Sequence, residues 1–152
     1  MNIEHARGDD VDAVTDMWVD LARDQRAYGS AIQAEANRAA MSETLAASVA
    51  ADGLLVARVG DEPVGFASST IDHGALELDR TRGLLTNLYV DPPYRRQGIG
   101  SALLEAVLER FDTADVDIVT LEVMAKNDAA RRFYADHGFE PRRVTMARVV
   151  DR

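Results

Sequence analysis

The sequence predicts a mixed α/β fold in which one sheet carries helices on both faces. Three observations lead there. Read by apolar period, the chain passes through strand-like and helix-like segments in the order β-α-α-β-β-β-α-β-α-β-β. At its centre an apolar, β-favouring run over 84–90 gives way through Asp91-Pro92-Pro93 to a segment of helical period, with two arginines and two glycines at the junction. The length of 152 residues, with 47% hydrophobic and 28% charged, is that of one globular domain able to bury a core.

Taken in order, a strand is expected over 3–7. Asp9 or Asp10 then caps a helix whose inward face is Val11, Val14, Met17, Trp18, Leu21 and Ala22, spaced three or four apart. Tyr28-Gly29-Ser30 breaks that pattern, and an alanine-rich helix is expected over 31–51 with Met41, Leu45 and Val49 four apart. Strands over 54–59 and 64–71 are joined by the turn Gly60-Asp61-Glu62-Pro63. The polar stretch 72–82, with His73, Glu77, Asp79 and Arg80, reads either as a flexible loop or as a pocket rim. After the strand at 84–90 comes a helix over 98–111 with Ile99, Ala102, Leu103, Ala106, Val107 and Phe111 inward. Ile118, Val119, Leu121 and Val123 favour a strand over 117–124. Asn127 or Asp128 caps a helix over 129–137 that Gly138 ends in a left-handed conformation. Segments 139–141 and 144–150 are expected to close the sheet as final strands.

The junction Arg95-Arg96-Gln97-Gly98-Ile99-Gly100-Ser101 suits an anion. A helix start leaves about four N–H groups unpaired and carries roughly half a positive charge. Gly98 and Gly100 remove the Cβ atoms that would hold a diphosphate off, and Arg95 and Arg96 add charge at the rim. The competing reading is an ordinary turn with a helix cap. A Walker A loop is excluded, because it ends Gly-Lys-Ser/Thr and the single lysine is Lys126. A Rossmann fingerprint is excluded because its third glycine is missing, Leu103 standing there.

The stretch Val-Asp-Pro-Pro-Tyr-Arg-Arg-Gln-Gly-Ile-Gly-Ser over 90–101 resembles the acetyl-coenzyme A loop of the GCN5-related N-acetyltransferases, Q/R-x-x-G-x-G/A. Leu-Glu-Val-Met-Ala-Lys-Asn-Asp-Ala-Ala-Arg-Arg-Phe-Tyr-Ala-Asp-His-Gly-Phe over 121–139 is similar to the second half of that family's pattern. The resemblance spans 84–139. It implies a mixed, mostly antiparallel sheet of about seven strands with helices on both faces, and acetyl-coenzyme A as cosubstrate, its diphosphate on Arg95, Arg96, Gln97, Gly98, Ile99, Gly100 and Ser101. It further implies that the strands at 84–90 and 117–124 diverge to admit the pantetheine arm. A bulge near 87–89 would then turn the backbones of Leu88 and Val90 toward the arm, and Asn127 would hydrogen-bond it. The first two helices would wall the acceptor site, making Trp18, Gln25, Tyr28 and Met41 candidates for substrate contact. Trp18 and Met41 read equally as core.

Acetyl transfer to an amine needs a neutral nitrogen held about 3 to 3.5 Å from the thioester carbon, and a proton for the leaving thiolate. Tyr134 stands where relatives place a tyrosine that donates to the coenzyme sulfur, though a core aromatic is the plain alternative. Glu122 is the candidate base, in a context that resembles the ribosomal-protein N-terminal acetyltransferases. On a strand it faces away from Leu121 and Val123. Many relatives carry a glutamate where this chain has Thr86, so the base falls to Glu122, to a loop carboxylate such as Glu77, or to water.

Composition narrows the partners. With no cysteine there is no disulfide, thiolate metal site or cysteine nucleophile. His5, His73 and His137 lack ligand spacing, so no metal is expected. A net charge of −9 disfavours nucleic acid. No apolar run approaches a membrane span and the N-terminus is no signal peptide, so a soluble, cytoplasmic protein is expected. Aspartate outnumbers glutamate and nearly every basic residue is arginine, which fits a halophile or a GC-rich genome. The expected acceptor is a primary amine, on a small molecule in preference to a peptide N-terminus. The alternative is a non-catalytic acyl-coenzyme A sensor module. A homodimer is a further expectation, through the edge near 144–150.

Overall fold

The computed structural model describes residues 1–72 and 80–151. Their strands are β1 (Asn2–His5), β2 (Leu54–Val59), β3 (Glu62–Asp72), β4 (Arg82–Val90) and β5 (Ile118–Leu121). Their helices are α1 (Val11–Gln25), α2 (Arg38–Ala50), α3 (Ile99–Thr113) and α4 (Asp128–Asp136). The strands form one sheet in chain order. The first four are antiparallel neighbours, and β5 lies parallel to β4 because α3 carries the chain back between them.

Each face of the sheet has its own core. On one, Val14, Trp18 and Val19 of α1 and Leu45 of α2 pack with Leu54, Val56, Phe66 and Tyr89. On the other, Leu103, Leu104, Val107 and Phe111 of α3 pack with Leu55, Ala57, Ala67 and Leu85, and Phe133 and Tyr134 of α4 join its margin. Successive residues of β2 thus feed opposite layers, as in a strand buried on both sides. Gly83 lies under Phe111, whose ring would stand 2.8 Å from a Cβ there, so the missing side chain seats the end of α3 on β4. Among the described residues no helix is long and apolar enough to cross a membrane.

The sheet has five strands among the described residues, against about seven expected. The segments at 139–141 and 144–150 form no strand with any described residue, and Val144, Met146, Val149 and Val150 stand 77%, 90%, 89% and 68% exposed. Propensity gives side chains a preference for extended backbone, but a strand exists only when its N–H and C=O groups find a neighbour. The helix expected over 31–51 begins at Arg38, after a 3₁₀ turn at Glu35–Asn37. Ahead of it the Arg26 guanidinium donates to the Ile32 carbonyl and the Ile32 N–H to the Ser30 hydroxyl, which draws that backbone out of a helical ladder. The strand expected over 117–124 stops at Leu121. Of the polar stretch at 72–82, His73, Glu77 and Asp79 lie outside the described residues.

Asp10 stands at the N-cap of α1, but its carboxylate is spent elsewhere. It accepts the Arg7 N–H at 2.7 Å and grips the buried Arg58 guanidinium at 2.8 and 2.6 Å, while the Arg58 Nε donates to Glu4. These bonds pin β1, the start of α1 and β2 together. The Arg58 hydrogen bond foremost, against the opposing effect of burial, holds the Asp10 carboxyl below its ordinary value. A depressed carboxyl contributes stability above its unfolded pKa, near about 3.9, and loses it as pH falls through its folded value. Asp10→Asn is expected to cost about 3 kcal/mol at neutral pH by leaving the buried Arg58 cation with Glu4 as its one carboxylate partner among the described residues, with the gap from the parent chain closing in acid. Urea unfolding of both chains across pH measures this. Equal stability at neutral pH would remove the strut.

Candidate active site

The site grows out of a fault in the sheet. In the β3–β4 ladder Ser68 pairs with Asn87 but Ser69 with Leu85, so Thr86 is an extra residue that bulges from β4. A polar knot beneath secures it. The buried Ser68 hydroxyl lies 2.7 Å from the Thr86 hydroxyl and accepts the Asn87 amide at 2.8 Å, and Thr86 also donates to the Ser68 carbonyl at 2.9 Å. The family resemblance implies a bulge near 87–89, and the observed one lies just before that stretch.

β5 follows β4 only as far as the bulge. Their register runs from Arg82 opposite Ile118 to Leu85 opposite Leu121 and ends there. Beyond it no described residue pairs with the outer edge of β4. The Asp91 N–H donates to Val64 at 2.8 Å, and Tyr89 stands opposite Phe66 in the same phase. Leu88 and Val90 therefore fall in the alternate phase and turn their N–H and C=O groups to the open edge. The Val90 carbonyl already accepts the Arg95 Nε at 2.7 Å.

At the end of that edge the chain turns through Pro92–Tyr94 into α3. Arg96 takes φ +62°, uncommon for a residue with a Cβ, and Gly98 takes φ +83° with nothing within 4 Å of where a Cβ would sit. This path leaves a run of bare donors. The N–H groups of Arg96, Gln97, Gly98, Ile99, Gly100 and Ser101 meet no acceptor among the described residues, and Ala102 is the first to be paired, to the Gly98 carbonyl at 3.0 Å. The cluster that a diphosphate needs is therefore present in the backbone. Arg96 and Gln97 are exposed at its rim. The Arg95 side chain turns the other way: its guanidinium lies 5.2 Å from the Tyr89 ring centroid and 3.7 Å from Asp24, tying the loop to α1.

Helix α4 closes the far side. A Cβ on Gly100 would lie 3.8 Å from Phe133 and 4.0 Å from Val90, so the end of β4, the start of α3 and α4 converge. Tyr134 follows Phe133, ring centroids 5.2 Å apart, and meets Phe139 edge-on at 5.8 Å. Burial among these rings pushes its phenol up to about 12. Asn127 is buried and its Oδ1 caps α4 by accepting the Ala130 N–H at 3.1 Å. Glu122 is exposed, one residue past β5. Its connector reaches the first helical hairpin, since Met124 would lie 3.7 Å from a Cβ on Gly29.

On the α1–α2 side, Trp18 is core and Met41 packs against that core, yet both also line a recess of about 220 Å³ with Ile32, Asn37, Ala40 and Thr44. Tyr28 and Gln25 are half-buried nearby in sequence. Sequence reading missed Ser68 and the Arg95–Tyr89 stack. The signal for the first is a Ser-Ser pair inside an otherwise apolar strand.

Residues 10–139 match the Acetyltransferase (GNAT) family. The chain belongs to that family. It is 33% identical over 93 residues, 61% of its length and 41% of the relative's, to an uncharacterized N-acetyltransferase of Methanocaldococcus jannaschii. It is 46% identical over 55 residues, 36% of its length and 37% of the relative's, to the ribosomal protein bS18-alanine N-acetyltransferase of Escherichia coli. The matches thus span under half the length of these two curated relatives. In fold the chain is similar to the crystal structure of a mutant Bacillus halodurans protein, with a TM-score of 0.85 at 21% identity over 99% of both chains. Subtracting the absorbance titration of Tyr134→Phe from that of the parent chain isolates the Tyr134 phenol. It is expected to stay protonated well past the ordinary tyrosine value of about 10, and a midpoint near that value would show the pocket to be wet.

Proposed function

We propose that this chain moves an acetyl group from acetyl-coenzyme A to a primary amine. The observation that carries the reading is the run of unpaired amides from Arg96 to Ser101, set at the mouth of the gap between β4 and β5. In this reading those amides hold the diphosphate, and the outward backbones of Leu88 and Val90, with Asn127, hold the pantetheine arm.

The amine nitrogen attacks the thioester carbon, the carbon–sulfur bond breaks, and the nitrogen sheds a proton to a base. Tyr134 gives its proton to the departing sulfur. Its raised pKa keeps that proton in place at neutral pH. Glu122, directly or through water, is the proposed base. Its exposed setting fits a carboxylate that returns the proton to solvent. No carboxylate arises at Thr86, whose hydroxyl is engaged with Ser68.

The recess beside Trp18 and Met41 is of a size for a small amine, and next to it Asp12, Asp16 and Glu35 line a wider groove of about 490 Å³ with Arg38. Arg38 pairs with Asp16 and Glu35 there, so the groove keeps only a modest negative excess that favours a cationic acceptor, less so as salt rises. The Escherichia coli relative, an N-acetyltransferase for a ribosomal-protein alanine, supports a peptide N-terminus on the same chemistry.

Thiol release with an amine panel, at low and molar salt, tests the reading. Tyr134→Phe is expected to lower kcat about a hundredfold with little change in acetyl-coenzyme A affinity, while Gly98→Ala weakens that affinity. Binding without thiol release for any amine would leave a sensor module. Full turnover in Tyr134→Phe would remove the acid.

A further inference from the structure

On the acetyl-transfer reading above, on which this rests, we propose that the Thr86 hydroxyl orients the attacking amine by accepting one of its N–H bonds, and so favours primary over secondary amines. Each hydroxyl of the knot beneath the bulge has one proton to give and two lone pairs to receive. Thr86 gives its proton to the Ser68 carbonyl at 2.9 Å, because a carbonyl can only accept. At the 2.7 Å contact between the two hydroxyls Ser68 must then be the donor. With its proton spent on Thr86, the Ser68 oxygen accepts the Asn87 amide at 2.8 Å. The bonds therefore run one way, from Asn87 to Ser68 to Thr86 to the Ser68 carbonyl, each polarising the next.

One lone pair on the Thr86 oxygen is left over, with no partner among the described residues. Ser68 is buried, whereas Thr86 is exposed. A group that meets Thr86 from outside must bring its own hydrogen. A thioester carbonyl, which has none, would set two oxygens face to face.

The knot also lies on the right side of the sheet. Ser68 keeps the phase of Phe66, which belongs to the core under α1 and α2, while Ala67 between them belongs to the other core. Thr86, bonded to Ser68, stands on that α1–α2 face, one residue past the last pairing of β4 with β5 at Leu85. Tyr134 lies with the opposite core. A thioester in the gap thus has Thr86 toward one face and Tyr134 toward the other, so nitrogen enters on one side and sulfur takes its proton on the other.

A neutral primary amine fits this arrangement. One N–H points to Thr86, which turns the lone pair toward the thioester carbon. Nitrogen attacks, the carbon–sulfur bond breaks, and sulfur takes the Tyr134 proton. Of the two protons then on nitrogen, one leaves to the base and the other stays on Thr86 and remains in the product amide. A secondary amine has a single N–H, which cannot both stay on Thr86 and leave to the base.

Thiol release is measured for each primary amine that the parent chain turns over, beside its N-methyl derivative, with phenethylamine and N-methylphenethylamine as the first pair. The parent is expected to favour the primary amine. Thr86→Val keeps the size of the side chain and removes the acceptor, so kcat/KM for the primary amine should fall about tenfold while that for the N-methyl amine holds, which narrows the ratio by the same factor. Thr86→Ser should keep the parent ratio, and acetyl-coenzyme A should bind all three chains alike. A residue that only shaped the bulge would lower both amines together. A parent that takes both amines equally overturns the proposal, as does a parent ratio retained in Thr86→Val, or in Thr86→Ala where the valine chain does not fold, and both results leave acetyl transfer standing. No thiol release from any amine removes the acetyl-transfer reading, and this proposal with it.

Discussion

The site depends on β4 losing its neighbour. As far as Leu85 the strand is paired on both sides, and from Thr86 onward it is paired on one. A strand edge inside a protein is a cost unless something fills it, because each bare N–H or C=O gives up its hydrogen bond with water. Here the edge is created deliberately. The extra residue at Thr86 shifts the phase of the ladder, and the Ser68 hydroxyl, shared with Thr86 and Asn87, absorbs the polar groups that the shift displaces. With the strand paired throughout, Leu88 and Val90 would be ordinary core residues with satisfied backbones.

The loop that follows applies the same device at a helix end. Every helix leaves its first amides unpaired. Most cap them with a side chain, as Asn127 does for α4. At α3 no side chain caps the start, and Gly98 in a left-handed turn keeps the approach clear. In a chain this acidic, a cluster of amides at the positive end of a helix dipole is among the few places where an anion is welcome. Arg95 keeps the neighbouring carboxylate, Asp24, engaged on the α1 side.

Much of this was legible in the residues because it is local chemistry. The strand at 84–90, the turn through Pro92 and Pro93, Gly98 and Gly100 at the helix start, and the Asn127 cap are each set by a few neighbouring side chains. What was not legible depends on partners far away in sequence. The bulge sits at Thr86 because Ser68, on another strand, holds it there. The contacts of Arg95 with Tyr89 and Asp24 were not legible, because nothing local shows that those side chains lie beside it. Segment 144–150 has the composition of a strand, yet no described residue pairs with it. The side chain of Asp10 has the chemistry of a helix cap, and Arg58, 48 residues on, takes it instead.

The most direct measurement is a titration of isotope-labelled protein with acetyl-coenzyme A, followed by backbone amide resonances. The amides of Gly98, Gly100 and their neighbours from Arg96 to Ser101 should move furthest, joined by Leu88 and Val90 and not by Phe66 or Tyr89, whose groups face each other. Shifts confined to another surface, or none at saturating ligand, would contradict a coenzyme seated on that loop and edge.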